Sequence, residues 1–291
     1  MSAPGRTAMA TDRKPRDDEI DVYGLTHQGK VRQSNQDHFL ICSLSRQVQV
    51  HQTSLPDIGQ VAGAAERLAF LAMVADGVGG GNMGGEASRL AVEHITAFVL
   101  QSVHAYYTAD PHDDAAFARV LEEAAMQAHA DLLERGQNDP DARGMATTLT
   151  LWIGVWPRAY LLQVGDSRCY VLRGRELTQI SRDQTMAQEL VDAGVMKRSE
   201  ADRTKWAHVL SSAIGGPQTA PVVVRLDQAW NQVGLLCSDG LTKHVTDERI
   251  RERLRTMSSA KQACEALLED ALADGGTDNI TILIGRTVRK D

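Results

Sequence analysis

Residues 68–85 read LAFLAMVADGVGGGNMGG, and this stretch decides the fold. Its first eight residues, Leu68 to Ala75, are an unbroken apolar run of strand length, the pattern of a strand buried on both faces. The run ends on a carboxylate, Asp76, and six glycines follow within residues 77–85. A helix is then predicted over 86–107, because Ala87, Leu90, Ala91, Ile95, Phe98 and Val99 recur on one face.

Downstream, a second helix is predicted over 114–135, with Asp113 or Asp114 as its cap and Phe117, Val120, Leu121, Ala124, Ala128 and Leu132 as its apolar face. The period then switches to strands over 147–155, 159–164 and 167–172, the last closed by an Arg173-Gly174 turn. Residues 182–206 read as helical but interrupted at Gly194, and a helix over 247–273 separates strands at 233–237 and 280–288. Upstream, the pattern is strand-like from Ile20, with a strand over 38–44. Residues 1–19 carry no apolar periodicity and read as a mobile tail, and the polar connector 45–67 reads as an insertion. Strand runs mixed with paired helices indicate an α+β fold.

Lys and Arg total 31 against 38 Asp and Glu, a formal charge of −7 spread along the chain, which argues against nucleic acid and against an anionic membrane surface. The longest apolar run is far below the roughly 20 residues that span a bilayer, and no apolar segment after Met1 reads as a signal peptide. Cys42, Cys169, Cys237 and Cys264 are scattered, so neither structural zinc nor a disulfide framework is expected, and a reducing cytoplasm fits.

The acidic residues are unusually placed. Asp37, Asp76, Asp166, Asp239 and Asp278 each stand at or beside an apolar strand, where an unpaired charge is costly. One such aspartate is commonplace, and Asp239-Gly240 alone reads as a turn. Five that converge would repel one another unless a cation neutralised them. None of the nine histidines shows metal-ligand spacing, so oxygen-only ligands would select a hard ion such as Mg²⁺ or Mn²⁺.

These segments resemble the metal-dependent protein phosphatase family, the type 2C serine/threonine phosphatases, in bacterial form. Arg32-Gln33-Ser34-Asn35-Gln36-Asp37 matches the opening R-x-x-N-[EQ]-D motif, and Ala75-Asp76-Gly77-Val78-Gly79-Gly80 matches A-D-G-x-G-G. Met145-Ala146-Thr147-Thr148, Gly165-Asp166-Ser167-Arg168, Ser238-Asp239-Gly240 and Gly276-Thr277-Asp278-Asn279 follow in the family's order. The resemblance implies a four-layer αββα sandwich, two mainly antiparallel sheets flanked by helix pairs, forming one catalytic domain over 20–288 with a flap at 182–206. It implies that Asp76 bridges two Mg²⁺ or Mn²⁺ ions with the Gly77 carbonyl, that Asp239 and Asp278 hold the second ion, and that Asp166 joins Asp239 at a third, weaker site. Asp37 would orient waters from behind these ligands, Arg32 would grip the phosphate, and a hydroxide bridging the metals would attack phosphorus directly. The implied partners are phosphorylated proteins made by a serine/threonine kinase, acted on in the cytoplasm by a monomer.

The sequence departs from the family in two places. Val78 stands where eukaryotic relatives often carry a histidine, so the leaving-group proton would come from water on the metals. Ala146 replaces the usual glycine of the M-G-T-T strand, a packing change, and Ser167 and Arg168 read as structural. Two other readings are weighed. Gly79, Gly81 and Gly84 spell G-x-G-x-x-G, but a second βα unit does not follow, which counts against a dinucleotide site. A pseudophosphatase acting as a binding module is the alternative from another class. Retention of Asp76, Asp239 and Asp278 favours turnover.

Overall fold

The computed structural model describes residues 13–46, 66–79, 83–108, 113–201 and 204–290. Eleven strands build two sheets: β1 (Ile20–His27), β2 (Asp37–Arg46), β3 (Glu66–Val78), β4 (Ala146–Thr147), β5 (Leu149–Val155), β6 (Arg158–Val164), β7 (Arg168–Arg173), β8 (Glu176–Gln179), β9 (Val222–Asp227), β10 (Val233–Cys237) and β11 (Ile280–Thr287). The helices are α1 (Met83–Thr108), α2 (Asp114–Asn138), α3 (Met186–Asp192), α4 (Arg198–Ala201), α5 (Asp239–Thr242), α6 (Asp247–Thr256) and α7 (Ala260–Ala273). One sheet has the order β1-β11-β10-β7-β8 and the other β2-β3-β5-β6-β9, with β4 paired to β3. Every strand pair between them is antiparallel, so the described residues contain no parallel βαβ unit for a dinucleotide.

Side-chain alternation makes the four layers. In β3, Leu71 and Met73 face α1 and α2, while Val74 faces the other sheet. In β10, Leu235 and Cys237 face α6 and α7, while Leu236 meets Val74, Leu161, Cys169 and Leu283 between the sheets. The expected αββα sandwich is therefore the observed one, with one core between the sheets and one under each helix layer.

Three local findings differ from the sequence reading. The predicted helix over 247–273 is two helices, because Met257 turns extended and is buried while Ser259 caps α7 by accepting the Gln262 N–H. Strands β8 and β9 are absent from the sequence reading, although Val222-Val223-Val224 of β9 is β-branched throughout. Residues 13–19 are not a free tail: Glu19 is buried and accepts both terminal nitrogens of Arg13, and Arg67 donates to the Pro15 carbonyl. Residues 1–12, and residues 47–65 of the expected insertion, lie outside the described residues. Within 182–206, α3 ends at Asp192, and Gly194 just beyond its Ala193 cap has a φ of +70° that suits glycine in a helix-terminating position.

Candidate metal centre

Antiparallel register brings the first two carboxylates together: Asp37 opens β2 directly opposite Asp76 near the end of β3. β10 ends and the antiparallel β11 begins at the same edge of the sandwich, which delivers Asp239 at the start of α5 and Asp278 just before β11. Asp166 sits in the turn between β6 and β7. The charges of Asp37, Asp239, Asp166 and Asp278 all act on Asp76. Together with burial, the larger cause, they push its carboxyl well above the ordinary aspartate range. Asp166 is pushed up to about 8, first by burial and then by Asp239 and Asp183.

Asp37 is buried, and its Oδ2 accepts the hydroxyls of Ser238 and Thr281, each at 2.7 Å. Burial still raises its carboxyl to about 6 despite those two hydrogen bonds. Asp76 is fixed through its main chain, its N–H donating to Thr148 Oγ1 at 3.0 Å and its carbonyl accepting Thr147 Oγ1 at 2.9 Å. Thr148 Oγ1 also meets Ser167 Oγ at 2.8 Å, so the Met145–Thr148 segment ties the Asp76 strand end to the Asp166 turn. Ala146 is buried in β4 opposite Val78. A Cβ on Gly77 would lie 2.2 Å from the Gly84 carbonyl oxygen, which is why the chain can pass between β3 and α1 only as glycine.

Asp278 carries the basic groups. Arg32 approaches it as a fork, Nε to Oδ1 at 2.7 Å and Nη2 to Oδ2 at 2.9 Å, while Lys243 Nζ donates to Oδ2 at 2.7 Å. Burial would raise the Asp278 carboxyl, but these cations outweigh it and hold it below the usual range. Lys243 Nζ also lies 2.6 Å from Asp239 Oδ2.

The sequence reading assigned no role to several residues that hold this centre. Lys243 is one. Asn279 is another: its Nδ2 donates to the carbonyls of Gln28 and Ser34, and its Oδ1 accepts the Gln36 N–H, each at 2.9 Å. It thus latches the loop that carries Arg32 onto the start of β11. His244 Nε2 accepts the Thr277 N–H at 2.9 Å, leaving Nδ1 to donate to Asp274 at 3.0 Å. Asn279 and Ser238 lie inside the quoted motifs, so only their role was hidden. Lys243 and His244 follow the S-D-G motif directly and carry no local signal. Asn279→Ala should leave three main-chain groups unpaired and cost about 2 kcal/mol, at roughly 1–3 kcal/mol for each one that stays buried. Urea denaturation of the metal-free protein measures it, and a loss below about 0.5 kcal/mol would show that the latch is not structural.

Arg168 anchors the stem of the 182–206 segment. Its guanidinium grips Asp183 with Nε at 2.9 Å and Nη2 at 2.6 Å, and the Gln184 N–H donates to the Gly165 carbonyl at 3.0 Å. The stem is thereby fixed to the Asp166 turn.

Whether these residues suit a hard divalent ion can be judged from their own chemistry. Among the described residues no group of three or more His, Cys, Asp or Glu side chains stands as placed to hold a metal ion. The donor set nevertheless fits such an ion. Five carboxylates meet two paired protein cations, and the buried Oδ1 atoms of Asp37 and Asp239 have no hydrogen-bond partner. Unpaired buried carboxylate oxygens are costly, and an oxygen-seeking cation removes that cost.

A family model described as protein phosphatase 2C matches residues 57–274. The serine/threonine protein phosphatase PstP of Mycobacterium tuberculosis is 33% identical over 223 residues, covering 77% of this chain. This chain spans only 41% of PstP's length. The serine/threonine phosphatase stp of Listeria monocytogenes is 28% identical over 216 residues, covering 74% of this chain and 83% of stp. The catalytic domain of PstP, solved in complex with 2 manganese ions, superposes with a TM-score of 0.71 at 29% identity, over 93% of this chain and 99% of that one. Fold, motif order and family match agree: the chain belongs to the protein phosphatase 2C family.

Proposed function

We propose that this chain is an active serine/threonine phosphoprotein phosphatase dependent on Mg²⁺ or Mn²⁺, its catalytic unit one domain over 20–288. The observation that carries the reading is the meeting of Asp37, Asp76, Asp166, Asp239 and Asp278 at one edge of the sandwich, with two buried oxygens unpaired. Asp76 and the Gly77 carbonyl would hold one ion, Asp76, Asp239 and Asp278 a second, and Asp166 with Asp239 a weaker third. Bound there, the ions would neutralise the cluster and supply the Lewis acidity that makes water nucleophilic at neutral pH.

The protein's own part is positioning. Arg32, half exposed at the rim and forked onto Asp278 in this structure, would turn its planar donor fork to a phosphate edge. Asp37 is fixed by Ser238 and Thr281 and keeps Oδ1 to orient water. The oxygen of water bonds to phosphorus, the ester P–O bond breaks, and the released serine or threonine oxygen takes a proton from water. Val78 carries no proton for that step. The family reading has water attack phosphorus directly, with no protein nucleophile and no phosphoenzyme. The substrates are phosphoproteins made by a serine/threonine kinase, met in the cytoplasm by a monomer. Among the described residues no helix is long and apolar enough to cross a membrane.

The test is hydrolysis of para-nitrophenyl phosphate by EDTA-stripped protein titrated with Mn²⁺. Release should depend on the metal and should fall at least about tenfold in Asp239→Asn, which loses one carboxylate ligand. Metal-independent release, or an unchanged rate in the variant, would overturn the reading.

A further inference from the structure

Lys243 caps the C-terminal end of α5, four residues after Asp239. Its ammonium lies between two carboxylates, 2.6 Å from Asp239 Oδ2 and 2.7 Å from Asp278 Oδ2. The side chain is mostly buried, with 23% exposed, so water screens these contacts poorly. Asp278 is fully engaged by the protein: Oδ1 receives Arg32 and the Asn279 N–H, and Oδ2 receives Arg32 and Lys243. A divalent ion held by Asp239 and Asp278 would compete for the Oδ2 atoms that the ammonium already holds. Two cations that close, in a partly buried site, repel strongly.

We propose that Lys243 is a built-in counter-cation of the Asp239–Asp278 pair, which an incoming divalent ion must displace and which therefore sets that ion's affinity. The inference rests on the metal reading above and adds a regulator of it. In the metal-free protein Lys243 holds together two carboxylates that would otherwise repel. In the loaded protein its ammonium has left Asp239 Oδ2 and Asp278 Oδ2. Lys243 is on this account a positioning residue, and its removal should loosen the metal-free protein while tightening metal binding.

Calorimetric titration of Mn²⁺ into EDTA-stripped wild type, Lys243→Gln and Lys243→Arg tests it. Removing the charge should tighten the Asp239–Asp278 step, identified as the Mn²⁺ step lost in Asp278→Asn, by at least about tenfold, while arginine, which keeps the charge, stays near wild type. An unchanged or weakened step in Lys243→Gln overturns the proposal and leaves the metal centre standing. No Mn²⁺ binding by any of the three proteins overturns both. Acetylation footprinting of wild type by mass spectrometry gives an answer should Lys243→Gln not fold. Labelling of Lys243 should rise on adding Mn²⁺, relative to the exposed Lys261, and unchanged or falling labelling overturns the displacement.

Discussion

Gly240→Ala should destabilise the metal-free protein by more than about 3 kcal/mol, beyond the usual 1–3 kcal/mol range for overpacking a core. A Cβ at this position would lie 1.9 Å from the Asn279 carbonyl oxygen and 2.9 Å from its carbon. Both are main-chain atoms, so no rotamer change relieves the contact. The demand here is for space between α5 and the start of β11, where Asp239 and Asp278 are held side by side. Relief requires the two loops to part, so Mn²⁺ affinity should fall along with stability. Urea denaturation and Mn²⁺ calorimetry measure the two effects. Gly174→Ala is the control: its φ is +60°, but nothing lies within 4 Å, so only the left-handed backbone penalty of about 1–2 kcal/mol applies. A Gly240→Ala protein as stable as Gly174→Ala would show that this close approach does not hold the centre together.

The reading of residues 68–85 succeeded because the physics there is local. Eight apolar residues ending on a carboxylate already imply a strand with cover on both faces, and β3 has one core on each side. The helical faces of α1 and α2 were legible for the same reason, since burial at a 3.6-residue period leaves a trace in the order of residues. Edge elements left a weaker trace. Among the described residues β9 has one strand neighbour, β6, and its alternation is half exposed, so its valines were passed over. The break at Met257 depended on a serine cap that competes with an otherwise continuous helical pattern. In the site, the carboxylates were legible and their arrangement was not. Asp37 stands opposite Asp76 only through a register between distant strands, and Ser238 finds Asp37 across 201 positions of chain. Lys243 was invisible for a different reason: a lysine one turn after an aspartate is ordinary on any helix surface, and only the position of Asp278 makes it part of the centre.

Asp76→Asn should have opposite effects on the fold and on the chemistry, which separates a metal centre from a structural acid network. Asp76 is held well above the ordinary range by burial first and by Asp37, Asp239, Asp166 and Asp278 next. Asp166 is raised to about 8 and Asp37 to about 6, in both cases chiefly by burial. Carboxyl groups raised in this way bind more protons folded than unfolded, where they titrate near about 4. Metal-free stability should therefore fall as pH rises from about 4 through the folded-state values of Asp37, about 6, and Asp166, about 8. The groups that give this slope are Asp76, Asp166 and Asp37, while Asp278, held low by Arg32 and Lys243, acts in the opposite sense at lower pH. Asparagine at position 76 is nearly the same size and never ionises, so it removes one of the repelling charges. In EDTA at pH 8 the variant should be more stable than wild type, and its stability should fall less between pH 5 and pH 8. Turnover should move the other way. The lost carboxylate is the one assigned to bridge both ions, and several kcal/mol of charge stabilisation go with it, on the order of 10³ in kcat/KM on para-nitrophenyl phosphate. The rise in Tm that Mn²⁺ gives wild type should shrink with it, because an ion stabilises only as far as it binds the folded state. A variant that is less stable than wild type at pH 8 and keeps the full Mn²⁺ shift would mean that Asp76 supports the sheet edge and binds no ion. If the five carboxylates hold a divalent cation as proposed, it is the cost of keeping them together that the ion relieves, so relieving that cost and losing the cation should come from the same substitution.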